Sequence, residues 1–177
     1  MSIKKSAQDN THLIKKIALE LGFVDCKISK ARFLKEEEKN YENWLNNGYQ
    51  GKMSYLEKNF DKRLDPRKLV PGAKSVISLS YNYYPKKKLR SKSKFLISKY
   101  AYGKDYHFVI KKKLYVLLER LKEKIGQING RVFVDSAPVH ERAWAKQSGL
   151  GWIGKNSLVL NKKNGSFFFL AEMIIDL

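Results

Sequence analysis

The sequence contains a single cysteine, Cys26, and this scarcity limits the chemistry open to the chain. One cysteine excludes an internal disulfide and a metal site built from cysteines. No apolar run is long enough to cross a bilayer, and residues 1–10 lack the apolar core of a signal peptide. These absences predict a cytoplasmic protein with no membrane partner.

Acidic residues are also scarce, because 17 Asp and Glu face 36 Lys and Arg and leave a net charge of +19. A field of this size attracts polyanions such as nucleic acids. Basic residues cluster at 86–94 and 111–113, but lysines are spread along the whole chain. On charge alone, nucleic-acid contact and an ordinary solvated surface are both open interpretations.

The length of 177 residues and the 43% hydrophobic content fit one domain with a real core. Apolar spacing predicts helices at 11–21, 32–46 and 108–125, and strands at 23–28, 75–81, 132–134, 157–160 and 166–175. Residues 161–165 have the composition of a hairpin turn between the last two strands. The pattern predicts an α+β (mixed α/β) fold with a central mixed sheet flanked by helices.

Residues 131–157 form the most informative segment. A short apolar strand ends at Asp135, a helix is expected from Ser136 or Pro138 to Gly149, and a glycine-rich loop with Lys155 follows. A carboxyl group that is partly desolvated at a strand end can act as a proton donor. Taken without other information, however, Asp135 is better interpreted as the cap of the following helix.

The neighbouring polar and aromatic residues allow less specific interpretations. Glu141 and Arg142 are expected to form an ion pair, and Trp144 and Trp152 are expected in the core. The glycine loop lacks the spacing of an ATP-binding loop. It is either a ligand contact, in which Lys155 holds a phosphate or amide oxygen, or a tight turn into the next strand. Three tyrosines, Tyr100, Tyr102 and Tyr106, are candidates for a pocket lining or for packing at the edge of the core. The three histidines lack metal-ligand spacing, so no metal site is predicted.

Five segments together resemble the N-terminal domain of the epoxyqueuosine reductases, which are cobalamin-dependent iron–sulfur enzymes. The matching stretches lie at residues 48–56, 63–76, 100–107, 134–145 and 149–156. The resemblance implies that residues 1–177 form a single domain that binds cobalamin and substrate, of the reductive dehalogenase and nitroreductase-like type. It also implies reduction of epoxyqueuosine to queuosine at the wobble position of a tRNA, and a monomer that binds the anticodon stem-loop.

The resemblance also implies roles for individual residues. Asp135 would donate a proton to the epoxide oxygen while reduced cobalamin supplies electrons. Cobalamin would contact residues in and around the glycine loop, namely Asp135, Gly154, Lys155, Asn156, Ser157 and Val159. Three further positions match weaker motifs of the family's corrin contacts: Lys58, Ser98 and Leu170.

One feature departs from the family, whose members continue into a ferredoxin-like domain with two four-iron four-sulfur clusters held by cysteines. This chain has one cysteine and stops directly after an apolar strand. We therefore expect a truncated chain without the C-terminal iron–sulfur domain, supplied with electrons by a partner chain or an external reductant. The alternatives are a non-catalytic basic tRNA-binding remnant and a flavin-dependent reductase.

Overall fold

The computed structural model describes residues 6–85 and 95–177, which fold into helices packed on both faces of a four-stranded sheet. The α-helices are α1 (Ala7–Glu20), α2 (Lys35–Asn46), α3 (Phe60–Leu64), α4 (Tyr106–Ile125) and α5 (Glu141–Gln147). The strands are β1 (Asp25–Lys30), β2 (Ser75–Asn82), β3 (Gly130–Phe133), β4 (Trp152–Ile153), β5 (Val159–Leu160) and β6 (Phe168–Ile175).

The main sheet has the strand order β1-β2-β6-β3, and every pairing in it is antiparallel. The α+β class is therefore confirmed, but the expectation of a mixed sheet is wrong. The chain between paired strands runs through helices and long loops, so it can return to either end of the sheet. The apolar pattern within each strand consequently does not determine the strand's direction.

The two faces of the sheet carry separate parts of the core. Helices α1 and α4 cover one face, where residues such as Leu114 and Leu117 pack against Leu79 and Met173. Helix α5 lies on the other face, where the fully buried Trp144 packs with strand residues including Ile174. Residues alternate between faces along a strand, so Glu172 of β6 points to the same side as Ile174, toward α5.

The starts of α1 and α4 are set by side-chain capping rather than by apolar spacing. Helix α1 begins at Ala7, four residues before the predicted start, because Ser6 and Asp9 form a reciprocal capping box. Asp105 caps α4 by accepting a 2.9 Å hydrogen bond from the His107 backbone N–H. Gly22, which follows the C-cap residue Leu21 of α1, adopts a left-handed φ of 89°.

The C-terminal hairpin is predicted wrongly. Strand β6 lies inside the main sheet and pairs with β2 and β3, while β5 pairs with β4 in a separate two-stranded sheet. Asn161 and Gly165 still close a turn through a single antiparallel bridge. The Asn161 amide also donates a 2.6 Å hydrogen bond to the Leu150 carbonyl, which holds the turn against the β4–β5 side of the molecule.

The helix expected from Ser136 or Pro138 begins only at Glu141, because Asp135 adopts a left-handed φ of 52° and a bent segment follows it. Within residues 6–85 and 95–177, no helix is both long and apolar enough to cross a membrane. The basic cluster at 86–94 lies outside the described residues.

His140, which precedes α5, is a partly buried histidine whose surroundings disfavour its charged form. Its ring lies edge-on to Tyr41, with 4.6 Å between ring centroids. Burial, then the positive charges of Arg63 and Arg142, lower the pKa of His140 to about 4. An unfolded histidine titrates near 6.5, so the unfolded chain takes up a proton before the folded one does. Stability is therefore lost as pH falls from about 6.5 toward about 4.

We expect His140→Leu to remove this acid-dependent loss. Its stability advantage over the wild type should grow as pH falls below 6.5, by up to about 1.4 kcal/mol per pH unit. Urea unfolding at pH 7 and pH 5.5 measures the difference. The exposed His12 provides the matched substitution, and an equal effect of His12→Leu would contradict the assignment to His140.

Candidate functional site

Asp135 lies just beyond β3, with its carboxyl group exposed and its backbone in the left-handed region. Its backbone N–H donates a 2.8 Å hydrogen bond to Glu141 Oε1. Its Oδ2 accepts a hydrogen bond from the Tyr106 hydroxyl of α4. The helix-cap interpretation is therefore wrong, because His140 occupies the N-cap position of α5 and no side chain caps that helix.

The first two residues of α5 connect two loops. Glu141 holds the Asp135 backbone, while the Arg142 guanidinium donates a 2.7 Å hydrogen bond to the Ser157 carbonyl. The predicted ion pair between Glu141 and Arg142 is not formed. Consecutive helix residues point in different directions, and here each is used for a different partner. The strand-end carboxylate and the glycine-rich turn are thus brought to the same end of α5.

The turn between β4 and β5 is closed by its own backbone. The Gly154 N–H donates to the Leu158 carbonyl and the Ser157 N–H donates to the Gly154 carbonyl, both at 2.9 Å. Asn156 Oδ1 accepts from the Leu158 N–H at 3.2 Å, while the Lys155 side chain is exposed. The interpretation of this segment as a tight turn is confirmed.

An apolar surface accompanies this turn. Trp152, Ile153 and Leu158 are 47%, 38% and 49% exposed, so the expectation that Trp152 belongs to the core is wrong, whereas Trp144 is in the core. Trp152 lies outside because the small β4–β5 sheet is not covered on this side by any described helix. Large apolar side chains clustered at a surface are typical of a ligand or partner site.

The remaining predicted corrin positions are dispersed. Lys58 is exposed beyond the single-turn helix Ser54–Leu56, and Ser98 is exposed before the single-turn helix Lys99–Ala101. No hydrogen bond or ion pair among the described residues joins either one to Asp135 or the β4–β5 turn. Val159 and Leu170 pack together in a small apolar cluster, so the Val159 side chain faces the interior.

Two acidic side chains beneath Asp135 were not predicted as site residues. The Glu141 carboxyl group lies within hydrogen-bonding reach of Asp135 and of Glu172, which is fully buried. Burial, followed by the charge of Asp135, raises the pKa of Glu141 to about 8. Burial, followed by the charge of Glu141, also raises the pKa of Glu172. The site therefore combines the exposed carboxyl group of Asp135 with the partly buried Glu141 and the fully buried Glu172, both of which favour the protonated form.

Tyr106 links this acidic group to a set of stacked aromatic rings. Its ring stacks on Phe169 at 3.9 Å between centroids with an interplanar angle of 7°, and on His107 at 4.0 Å. Burial, and then the hydrogen bond to Asp135, raise the pKa of the Tyr106 phenol. The phenol therefore remains a hydrogen-bond donor to Asp135. Of the three candidate tyrosines, Tyr106 is the one that contacts Asp135.

Comparison with known proteins places these features in one family. The model of "Epoxyqueuosine reductase QueG, DUF1730" matches residues 63–136. The epoxyqueuosine reductase of Cyclobacterium marinum is 63% identical over 171 residues, covering 96% of this chain and 55% of that protein. The chain thus spans about half the length of the curated relatives it matches.

Two solved structures are similar across 96% of this chain. An epoxyqueuosine reductase with an epoxyqueuosine-modified tRNA-Tyr stem loop has a TM-score of 0.86 and 28% identity, over 45% of its own chain. The Bacillus subtilis epoxyqueuosine reductase has a TM-score of 0.84 and 26% identity, also over 45% of its chain. In that structure a catalytic loop named for its aspartate is swung out of the active site.

Gly151 and Gly154 of the β4–β5 segment differ in the atoms that an added Cβ would meet. A Cβ atom at Gly151 would lie 2.2 Å from the Leu160 carbonyl oxygen, which is backbone and cannot rotate away. At Gly154 the nearest atoms are Leu160 Cδ1 at 2.7 Å and Asn156 Oδ1 at 2.8 Å, both at the ends of side chains. Gly151 is therefore required for close packing of the two strands.

We expect Gly151→Ala to destabilise the protein by about 1–3 kcal/mol and to open the β4–β5 sheet. Gly154→Ala should cost less, since the neighbouring side chains can move. Urea unfolding gives the total cost, and amide hydrogen exchange at Gly154 and Ser157 reports opening of the turn. An equal or larger effect of Gly154→Ala would refute this distinction.

Proposed function

We propose that this chain, which belongs to the epoxyqueuosine reductase family, binds cobalamin and the modified tRNA and protonates the epoxide oxygen through Asp135. The reaction converts epoxyqueuosine to queuosine, so both carbon–oxygen bonds of the epoxide break and a carbon–carbon double bond forms. The oxygen leaves as water, which requires two electrons and two protons.

The observation that carries this proposal is the connection made by α5. Glu141 fixes the Asp135 loop and Arg142 fixes the Ser157 end of the glycine-rich turn, at 2.8 and 2.7 Å. An acid is thereby held next to an exposed turn flanked by apolar side chains. A proton donor and a binding surface that share one rigid support are what a protonation reaction on a bound ligand needs.

The described residues fit a large corrin ring. Trp152, Ile153 and Leu158 offer exposed apolar surface, while the backbone of the turn and the Lys155 side chain offer polar groups. A corrin combines an apolar ring with carboxamide side chains, so it needs both kinds of contact. When bound, cobalamin would supply the electrons.

Residues of this chain would hold the cofactor in different ways. Gly154, Lys155, Asn156 and Ser157 would contact it from the turn, and Val159 would do so through its backbone because its side chain is buried. Lys58, Ser98 and Leu170 are proposed as peripheral contacts. Asp135 would face the substrate side, oriented by the Tyr106 hydroxyl.

The electrons would enter from outside these 177 residues. A four-iron four-sulfur cluster needs several cysteine ligands, and the sequence has only Cys26, which is buried. Among the described residues, no group of three or more His, Cys, Asp or Glu side chains could hold a metal ion. We propose an iron–sulfur partner or an external reductant as the electron source.

Asp135→Asn is expected to retain cobalamin but to lose turnover by about 100-fold or more, because an amide cannot replace a general acid. The protein would be loaded anaerobically with cobalamin and its absorption spectrum recorded. Queuosine formation would then be measured on an epoxyqueuosine-containing anticodon stem-loop with a chemical reductant. Asp61→Asn, an exposed aspartate paired with Lys68, serves as the matched control.

Three outcomes would contradict the proposal. If the purified protein never retains cobalamin, this chain does not bind the cofactor. Flavin absorption in its place would favour a flavin-dependent reductase. Unchanged turnover in Asp135→Asn would remove Asp135 from the role of proton donor.

The charge of +19 supports tRNA binding as part of the same function. We expect affinity for the anticodon stem-loop to fall linearly with the logarithm of salt concentration, since each neutralised phosphate releases counterions. Fluorescence anisotropy across a salt series measures this slope. A flat dependence would argue against an electrostatic tRNA interface, whereas steep tRNA binding without cobalamin affinity would favour a non-catalytic tRNA-binding protein.

A further inference from the structure

Glu172 is a buried acid with no counter-ion among the described residues. It lies on the central strand β6, between Ser78 of β2 and Phe133 of β3 in the sheet register, and its exposure is 0%. Neither carboxyl oxygen has a hydrogen-bond donor among the described residues. An ionised carboxylate in such a place is very unfavourable unless it is paired.

The buried Ser78 hydroxyl lies opposite Glu172 on the same face of the sheet but makes no hydrogen bond among the described residues. The ionisable group that acts most strongly on Glu172 is another acid. The carboxyl groups of Glu141 and Glu172 are within hydrogen-bonding reach, yet two ionised carboxylates have no hydrogen to share. A hydrogen bond between them therefore requires a proton on the pair. The other charge that reaches Glu172 is that of Asp135, which is also acidic, so no described cation offsets the repulsion.

The pair is connected to the surface through Asp135. Glu141 lies between the other two acids, because its carboxyl group contacts both the Glu172 carboxyl and Asp135, whose backbone N–H it accepts at 2.8 Å. Asp135 is exposed and Glu172 is fully buried, so the three acids form a path from solvent into the sheet. Tyr106 faces the same group from α4 through its hydrogen bond to Asp135.

We propose that Glu141 and Glu172 hold a proton reserve that reloads Asp135 after it has protonated the epoxide oxygen. This inference rests on the proposed function, in which the departing oxygen takes up two protons while the electrons come from reduced cobalamin. Asp135 gives the first proton and is reprotonated by Glu141. The proton that remains is shared between Glu141 and Glu172, so donation does not leave two negative charges side by side. Solvent restores the reserve through Asp135.

The shared proton can be tested on the chain without cobalamin or tRNA, by carboxyl carbon-13 NMR across a pH series. We expect the Glu141 and Glu172 carboxyl groups to be protonated at pH 7 and to titrate together on the alkaline side. Glu172→Gln should shift the Glu141 titration to lower pH, because the neighbouring charge is removed. Asp65 provides the control, because it is also buried but its pKa is lowered by the hydrogen bond from Arg67. Asp65→Asn should leave the Glu141 titration unchanged. If the Glu141 and Glu172 carboxyl groups are both ionised at pH 7, the proposed proton reserve is wrong.

The role of the Glu141–Glu172 pair in turnover is tested by measuring how the rate of queuosine formation depends on pH. Glu141→Gln keeps an oxygen that accepts the Asp135 N–H, so it separates loop positioning from proton supply. We expect Glu141→Gln and Glu172→Gln to retain cobalamin, to slow queuosine formation roughly tenfold or more, and to move the alkaline limb of the pH–rate profile. An unchanged profile in both variants would overturn the role. Absence of turnover in the wild type would overturn it together with the proposed function, while the NMR titration would still decide whether the proton is shared.

Discussion

The hydrogen bond from the Asp135 backbone N–H to the Glu141 carboxyl group determines the geometry of the whole site. A non-glycine residue with a φ of 52° is held in a region that costs about 1–2 kcal/mol, so the surrounding contacts must stabilise it. Glu141 provides one such contact from below and Tyr106 provides another to the side chain. Without them the loop would relax, and the acid would no longer have a fixed position relative to the turn that Arg142 holds.

This dependence also explains why α5 starts late. The residues after Asp135 follow a left-handed turn and contain Pro138, so the chain cannot enter a helix until His140. Glu141 then occupies the first helical position of α5. The same residue therefore ends the loop, begins the helix and touches the buried acid of β6. A single position of the sequence joins the fold to the chemistry of the site.

The fold could be predicted from the sequence wherever apolar spacing was long and regular. Helix α4 and strands β2 and β6 lie within two residues of their predicted bounds, because each buries a continuous apolar pattern. Strand direction and the pairing of β5 with β4 could not be predicted, since they depend on contacts between distant segments. Among the site residues, Asp135 was recognisable from its strand-end position and from the family motif.

Glu141 and Glu172 could not be recognised as a pair, because they are 31 positions apart and meet only through the packing of α5 on the sheet. A signal for Glu172 was nevertheless present, since it is the single charged residue in the otherwise apolar strand β6. A buried sheet tolerates such a residue only if it is neutral or paired. The ionisable groups that act on Glu172 are also acids, so we infer that its charge is neutralised by a proton. The fold therefore stores protons next to Asp135, whereas its single cysteine provides no corresponding site for an iron–sulfur electron carrier. Protons and electrons would thus reach the epoxide from different sources, the first from this domain and the second from outside these 177 residues.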